Sequence, residues 1–176
     1  MTMHHIASAS LSSNGQIVFG NIPSTYTHLH VRASIRANYG VSGSALYTSI
    51  YKSGSTGYVF SDHELRGDGA TAISNGATGL PYIYAGSIMP GTTSLSNNFG
   101  ILIMDILDYS NPSKFKTMKI YGGYDNNGSG NIMLQSGLIQ TLDICDTFFV
   151  DSDGNLLAGS RVDLYGITSN PIATGA

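Results

Sequence analysis

The chain has 176 residues, of which only 11% are charged, with a net charge of -3 and 22 glycines; that is less than half the charge usual for a globular domain, on a length that can bury one self-sufficient core. The eight basic residues are dispersed along the sequence, which excludes the clustered positive footprint of nucleic-acid binding. A single cysteine, Cys145, excludes an intramolecular disulfide framework, and the most apolar run, 101–104, stops at Asp105, far short of the roughly 20 residues of a membrane-spanning helix.

The start, MTMHHIASAS, lacks the positive charge followed by an apolar run that marks a secretory leader. Residues 6–11 and 16–19 read as a strand pair joined by Asn14-Gly15, which supplies the positive-φ residues of a tight turn. The cleanest signal in the chain follows at 27–37, THLHVRASIRA. Leu29, Val31, Ala33, Ile35 and Ala37 alternate with His28, His30, Arg32, Ser34 and Arg36. Side chains of a strand fall on opposite faces in turn, so this run predicts one face in a core and one face wet or against a partner. At about 3.3 Å per residue it would reach roughly 35 Å.

Further strands are expected at 45–52, 57–65, 82–88, 100–109, 115–121, 131–139, 143–150 and 161–167, separated by Gly, Asn and Pro turn signals. Residues 66–81 show no period and read as an irregular surface crossing, and 122–130 as a loop. No segment offers three turns of helical period. About ten short strands are too many for one open sheet of this size, so the expectation is a single all-β domain over 1–176, a jelly-roll-like β-sandwich of roughly 8–11 strands with little or no helix.

Four phrases, SSNGQIVFGNIPSTYTHLHVRASIR, HELRGDG, MDILDYSNPSKFKTMKIYGGYD and AGSRVDLYGI, together resemble a class of tailed-bacteriophage virion proteins over nearly the full length. Members of that class are head decoration or cement proteins, head fibres or tail appendages, usually jelly-roll-like and trimeric. The resemblance implies a homotrimer assembled in the host cytoplasm into the virion, with the major capsid protein or another virion protein as partner. It brings no catalytic residues. In the quoted phrases, Tyr26 is expected to pack its ring under the sheet edge, Lys114 and Lys116 to solvate the tip of the 110–114 turn, and Gly166 to admit a close backbone approach.

Candidate sites follow from residue type. His28 and His30 form an H-x-H pair that could share a metal, although no third ligand is near in sequence. With Arg32 and Arg36 they make a row of four cationic groups that could meet carboxylates of a neighbouring subunit or the capsid, an interface that acid or salt would weaken. Arg66-Gly67-Asp68 matches an integrin-type tripeptide, but its glycines suit a plain turn. Asp151, Asp153 and Asn155 match a calcium loop only in part, because Gly154 stands fourth where an EF-hand needs its glycine sixth.

Cys145 reads as a small buried filler. Asp105 with Asp108, or Asp62 with Glu64, could be drawn as a hydrolytic carboxylate pair, without a supporting pattern. Eleven tyrosines and no tryptophan leave Tyr82, Tyr84, Tyr121 and Tyr124 as candidates for glycan contact. The expected function is a non-enzymatic capsid decoration or cement protein without cofactor or metal, with a glycan-binding fibre tip as the alternative.

Overall fold

The computed structural model describes residues 1–56 and 58–168. Among them are twelve strands and no helix: β1 (Thr2–Ser10), β2 (Ile17–Phe19), β3 (His28–Ile35), β4 (Gly43–Tyr51), β5 (Phe60–Gly67), β6 (Ala72–Leu80), β7 (Ile83–Pro90), β8 (Gly100–Leu107), β9 (Lys116–Asp125), β10 (Gly130–Ile139), β11 (Thr147–Ser152) and β12 (Arg161–Thr168). All pair antiparallel.

One sheet runs β1-β12-β3-β8-β9-β10-β5-β6 and the other β2-β11-β4-β7. Setting aside the hairpins β5–β6 and β9–β10 leaves two four-stranded sheets, β1-β12-β3-β8 against β2-β11-β4-β7, in which the chain winds from one sheet to the other as a jelly roll does. The two hairpins then extend one sheet sideways. The expected sandwich is present, with one strand more than the upper bound of eleven, but the expected pairing of 6–11 with 16–19 is not: β1 pairs with β12 and β2 with β11, in different sheets.

β3 sits near the middle of the larger sheet, and its alternation is realised. Leu29, Val31, Ala33 and Ile35 enter the core beside Leu102, Met104 and Ile106 of β8 and Val162 and Leu164 of β12. The smaller sheet answers with Ile17, Leu46, Ile50, Ile83, Phe148 and Val150. Each such side chain contributes about 1.5–3 kcal/mol on burial.

The extra strand is β6, in the stretch expected to be irregular. It pairs with β5 in regular register from Ala72 to Thr78, yet residues 72–79 are all exposed. An edge strand with neither face in a core needs no apolar alternation, so periodicity could not reveal it; only the ladder to β5 holds it. The expected loop at 122–130 shrinks to a four-residue tip, because β9 continues to Asp125 and β10 begins at Gly130. Asn127 (φ 57°) and Gly128 (φ 95°) supply the left-handed pair of a tight hairpin turn. Gly122 lies in the strand because Ile88 packs there, and a β-carbon would come within 2.7 Å of its Cδ1. The strand expected at 57–65 begins at Phe60, and Gly57 lies outside the described residues.

Two further expectations are corrected by packing. Lys116 does not solvate its turn: it is 0% exposed, and its ammonium donates to the carbonyls of Asn111 and Lys114, closing the turn from inside. Burial accordingly lowers its pKa. Gly166 makes room for a ring rather than a backbone, since a β-carbon there would strike Tyr26. Tyr26 packs partly buried against the core as expected.

Candidate functional site

In the appended hairpins buried polar groups stand beside the apolar ones, Met118, Ile120, Met133 and Ile139. On their inner side Asp62, Glu64 and Gln135 are buried. Each serves β7, the edge strand of the smaller sheet. Asp62 accepts from the Tyr84 amide (3.4 Å), Glu64 from the Gly86 amide (3.2 Å), and Gln135 donates to the Tyr84 carbonyl (2.7 Å). These side chains from one sheet satisfy the backbone edge of the other. Burial raises the pKa of Asp62, opposed by the Tyr84 amide, with the Glu64 charge pushing the same way as burial.

The outer side of the same strands is apolar towards one end, while the row of Lys119, Ser136 and His63 beside it is polar. The ladders place Ile103, Tyr121, Leu134 and Leu65 side by side across β8, β9, β10 and β5, and the next row holds Ile101, Gly123, Ile132 and Gly67. Ile101, Leu65, Tyr121, Ile132 and Leu134 are each between 43% and 55% exposed. A row of apolar side chains on neighbouring strands is a contiguous patch rather than scattered exposure. Where the glycines remove side chains the surface dips, forming an open concavity of about 490 Å³ walled by Ile101, Tyr121 and Ile132. Gly123 cannot be replaced freely, because a β-carbon would run into the Asn131 carbonyl.

The cationic row of β3 is only partly at this surface. Register puts His28, His30 and Arg32 on the outer face of the sheet, opposite Ile167, Tyr165 and Asp163 of β12. His30 Nδ1 lies 2.7 Å from Asp105 Oδ1, and His28 Nδ1 accepts from the Asp108 amide at 3.0 Å. Arg36 is corrected. It is 5% exposed, and its guanidinium donates to the carbonyls of Gly91, Ser94, Leu95 and Asn98, pinning the loop before β8. Its Nε has no partner but is buried, so burial keeps the group from a neighbouring subunit. Among the described residues no three His, Cys, Asp or Glu side chains are grouped to hold a metal.

The four candidate tyrosines fall in different places. Tyr82 and Tyr84 gather around Tyr47 of the smaller sheet, with ring centroids 4.8 and 5.6 Å from it, and the Tyr47 hydroxyl donates to Asp153. Burial raises the pKa of Tyr47 first, and the Asp153 hydrogen bond adds to it. Tyr121 stands in the apolar row described above. Tyr124 turns its hydroxyl against Gly43.

The remaining motifs are structural. Asp68 accepts from the amides of Ala70 (2.9 Å) and Thr71 (2.7 Å), which hold its carboxyl below the usual range, and Arg66 lies 3.6 Å from Glu64. The tripeptide at 66–68 is therefore the end of β5, with Asp68 closing the turn into β6. Gly154 and Asn155 (φ 67° and 69°) make the 151–155 stretch a turn, and Asp153 is engaged by Tyr47. Asp108 faces Lys114 at 3.3 Å rather than Asp105. Cys145 is fully buried and its thiol is pushed up to about 12, as a filler would be.

The apolar outer face is what residue-by-residue reading missed. Its signal was the run ILIM at 101–104, apolar on both faces, since a strand with two apolar faces asks for a cover on each. Comparison of the chain with protein-family models, with curated proteins and with solved structures gives no match.

Proposed function

We propose that the chain is a virion structural protein, a trimer that decorates the capsid shell by seating its apolar outer face against its own copies and the major capsid protein. The observation that carries this reading is the contiguous row Ile103, Tyr121, Leu134 and Leu65, together with Ile101 and Ile132. Burying such a patch in an obligate interface is favourable at about 25 cal/mol per Å², and such interfaces exclude charge, in keeping with the low charge of the whole chain. The jelly-roll order of the two sheets supports it, since that architecture serves capsid and lectin domains alike, and the sequence resemblance points the same way.

The test is binding to expanded capsids that lack the protein, with the oligomeric mass measured in parallel. Saturable binding at lattice stoichiometry with added resistance of the shell to heat is the expected result. A monomer that ignores shells overturns the proposal. The second reading, a fibre tip that binds a host glycan, is favoured by one observation: the Tyr47, Tyr82 and Tyr84 rings beside Asp153 combine aromatic faces with an acceptor for sugar hydroxyls. Binding to host cells lost on Tyr84→Ala, with no binding to shells, selects it.

A further inference from the structure

A sandwich of two open sheets has four edge strands, and each edge offers unpaired amides and carbonyls to any passing strand. Three are managed here. β2 is three residues long. β7 is capped by Asp62, Glu64 and Gln135. β1 is broken by a bulge between His5 and Ala7. The fourth, β6, has only a register shift at its far end, at Gly79, and no device along Ala72 to Thr78. Its nine residues, AISNGATGL, hold no charge and no proline, and the ladder to β5 is regular from Ala72 to Thr78. At about 3.3 Å per residue it presents roughly 30 Å of edge.

We propose that β6 pairs antiparallel with β6 of a second copy, joining two eight-stranded sheets into one. The charge pattern selects this occupant. No charged residue lies between Gly69 and Pro81, so nothing there attracts a charged foreign strand and nothing repels an identical one. Of the charges around it, Arg66 and Glu64 face each other, Asp62 is turned to the Tyr84 amide and Asp68 is held by the amides of Ala70 and Thr71. Antiparallel self-pairing also sets residues of like orientation together. With the two-fold axis at Gly76, Ser74 meets Thr78 on the outer face and Asn75 meets Ala77 on the inner face. Small side chains and a hydroxyl pair then oppose one another without a clash. A two-fold contact of this kind is isologous and closes on itself. It does not rest on the virion reading.

The experiment is sedimentation velocity on the wild-type chain and on the double variant Ser74→Lys/Thr78→Lys across a micromolar concentration series. The paired positions then carry like charges, so the assembled mass is expected to fall about two-fold at low salt. Mixing that variant with Ser74→Glu/Thr78→Glu restores the wild-type mass, with one copy of each in native mass spectrometry. A wild-type chain that does not associate, a double-lysine variant with wild-type mass, or a mixture that stays apart overturns the pairing. Hydrogen exchange on the wild type covers the case in which a variant unfolds. The β6 amides facing away from β5 exchange slowly at high concentration and quickly on dilution, and fast exchange throughout also overturns it. Shell binding is scored separately, so a chain that pairs through β6 but ignores shells keeps this inference and loses the virion reading.

Discussion

The two halves of the larger sheet place their polar groups differently. Across β1, β12 and β3 the inner face is apolar and the outer face largely polar, with Arg161 2.8 Å from Asp163 and His30 2.7 Å from Asp105 of β8. In the half β9-β10-β5-β6 the polar groups Asp62, Glu64 and Gln135 look inward beside Met118, Ile120, Met133 and Ile139, and Tyr121, Ile132, Leu134 and Leu65 look outward with Ile101 and Ile103 of β8. The first half is finished as a soluble surface. The second spends its polar groups on the β7 edge and leaves apolar area outside, where burial waits for another molecule. On the proposed reading, folding and assembly are thus assigned to different faces of one sheet.

If that division holds, substitutions in the two halves should separate stability from association. The largest effect on folding is expected from Leu29→Ala in the first half, where a fully buried side chain leaves a cavity. It should cost about 2–5 kcal/mol in urea denaturation, with no specific effect on assembly beyond the loss of folded chain. Next is Arg36→Met, which removes the donors to four loop carbonyls. A loss of about 2–3 kcal/mol, with faster proteolysis between residues 91 and 98, is expected. A change under about 0.5 kcal/mol would show that loop to be held by other contacts.

Leu134→Lys tests the second half. Its side chain is half exposed in the described fold, so unfolding free energy should move by about 0.5 kcal/mol or less. On the proposed virion reading, trimer association and shell binding should each weaken about ten-fold or more. An unchanged assembly would remove the outer face from the interface.

The smallest effect is a pH signature. Burial raises the pKa of Asp62 in the fold, so the folded chain holds that proton more tightly than the unfolded chain does. This favours the fold below the unfolded carboxyl pKa of about 3.9, and the advantage is lost as pH rises through the folded pKa. Asp62→Asn keeps an acceptor for the Tyr84 amide and carries no charge. It should melt higher than the wild type at neutral pH, with the difference shrinking towards about pH 4. A difference that grows on acidification would mean the Asp62 charge is stabilising after all.

The sequence alone determined what depends on local repetition. The alternation at 27–37 reported a central strand and its core face, the Asn-Gly turn at 127–128 lies where β9 returns as β10, and the spacing of turn signals reported a two-sheet β fold. Backbone sterics and the two-residue period act between neighbours, so neighbours are enough to read them. Tertiary structure decided the rest. Arg36 continues the polar phase of β3 in sequence but turns inward, because the carbonyls that take its guanidinium come from a loop some sixty residues away. Lys116 is buried by its own turn, β6 is a strand only because β5 lies beside it, and Tyr121 joins Leu134 and Leu65 only through the ladders. Long polar side chains and edge strands take their state from partners distant in the chain, and no local pattern records where those partners will be.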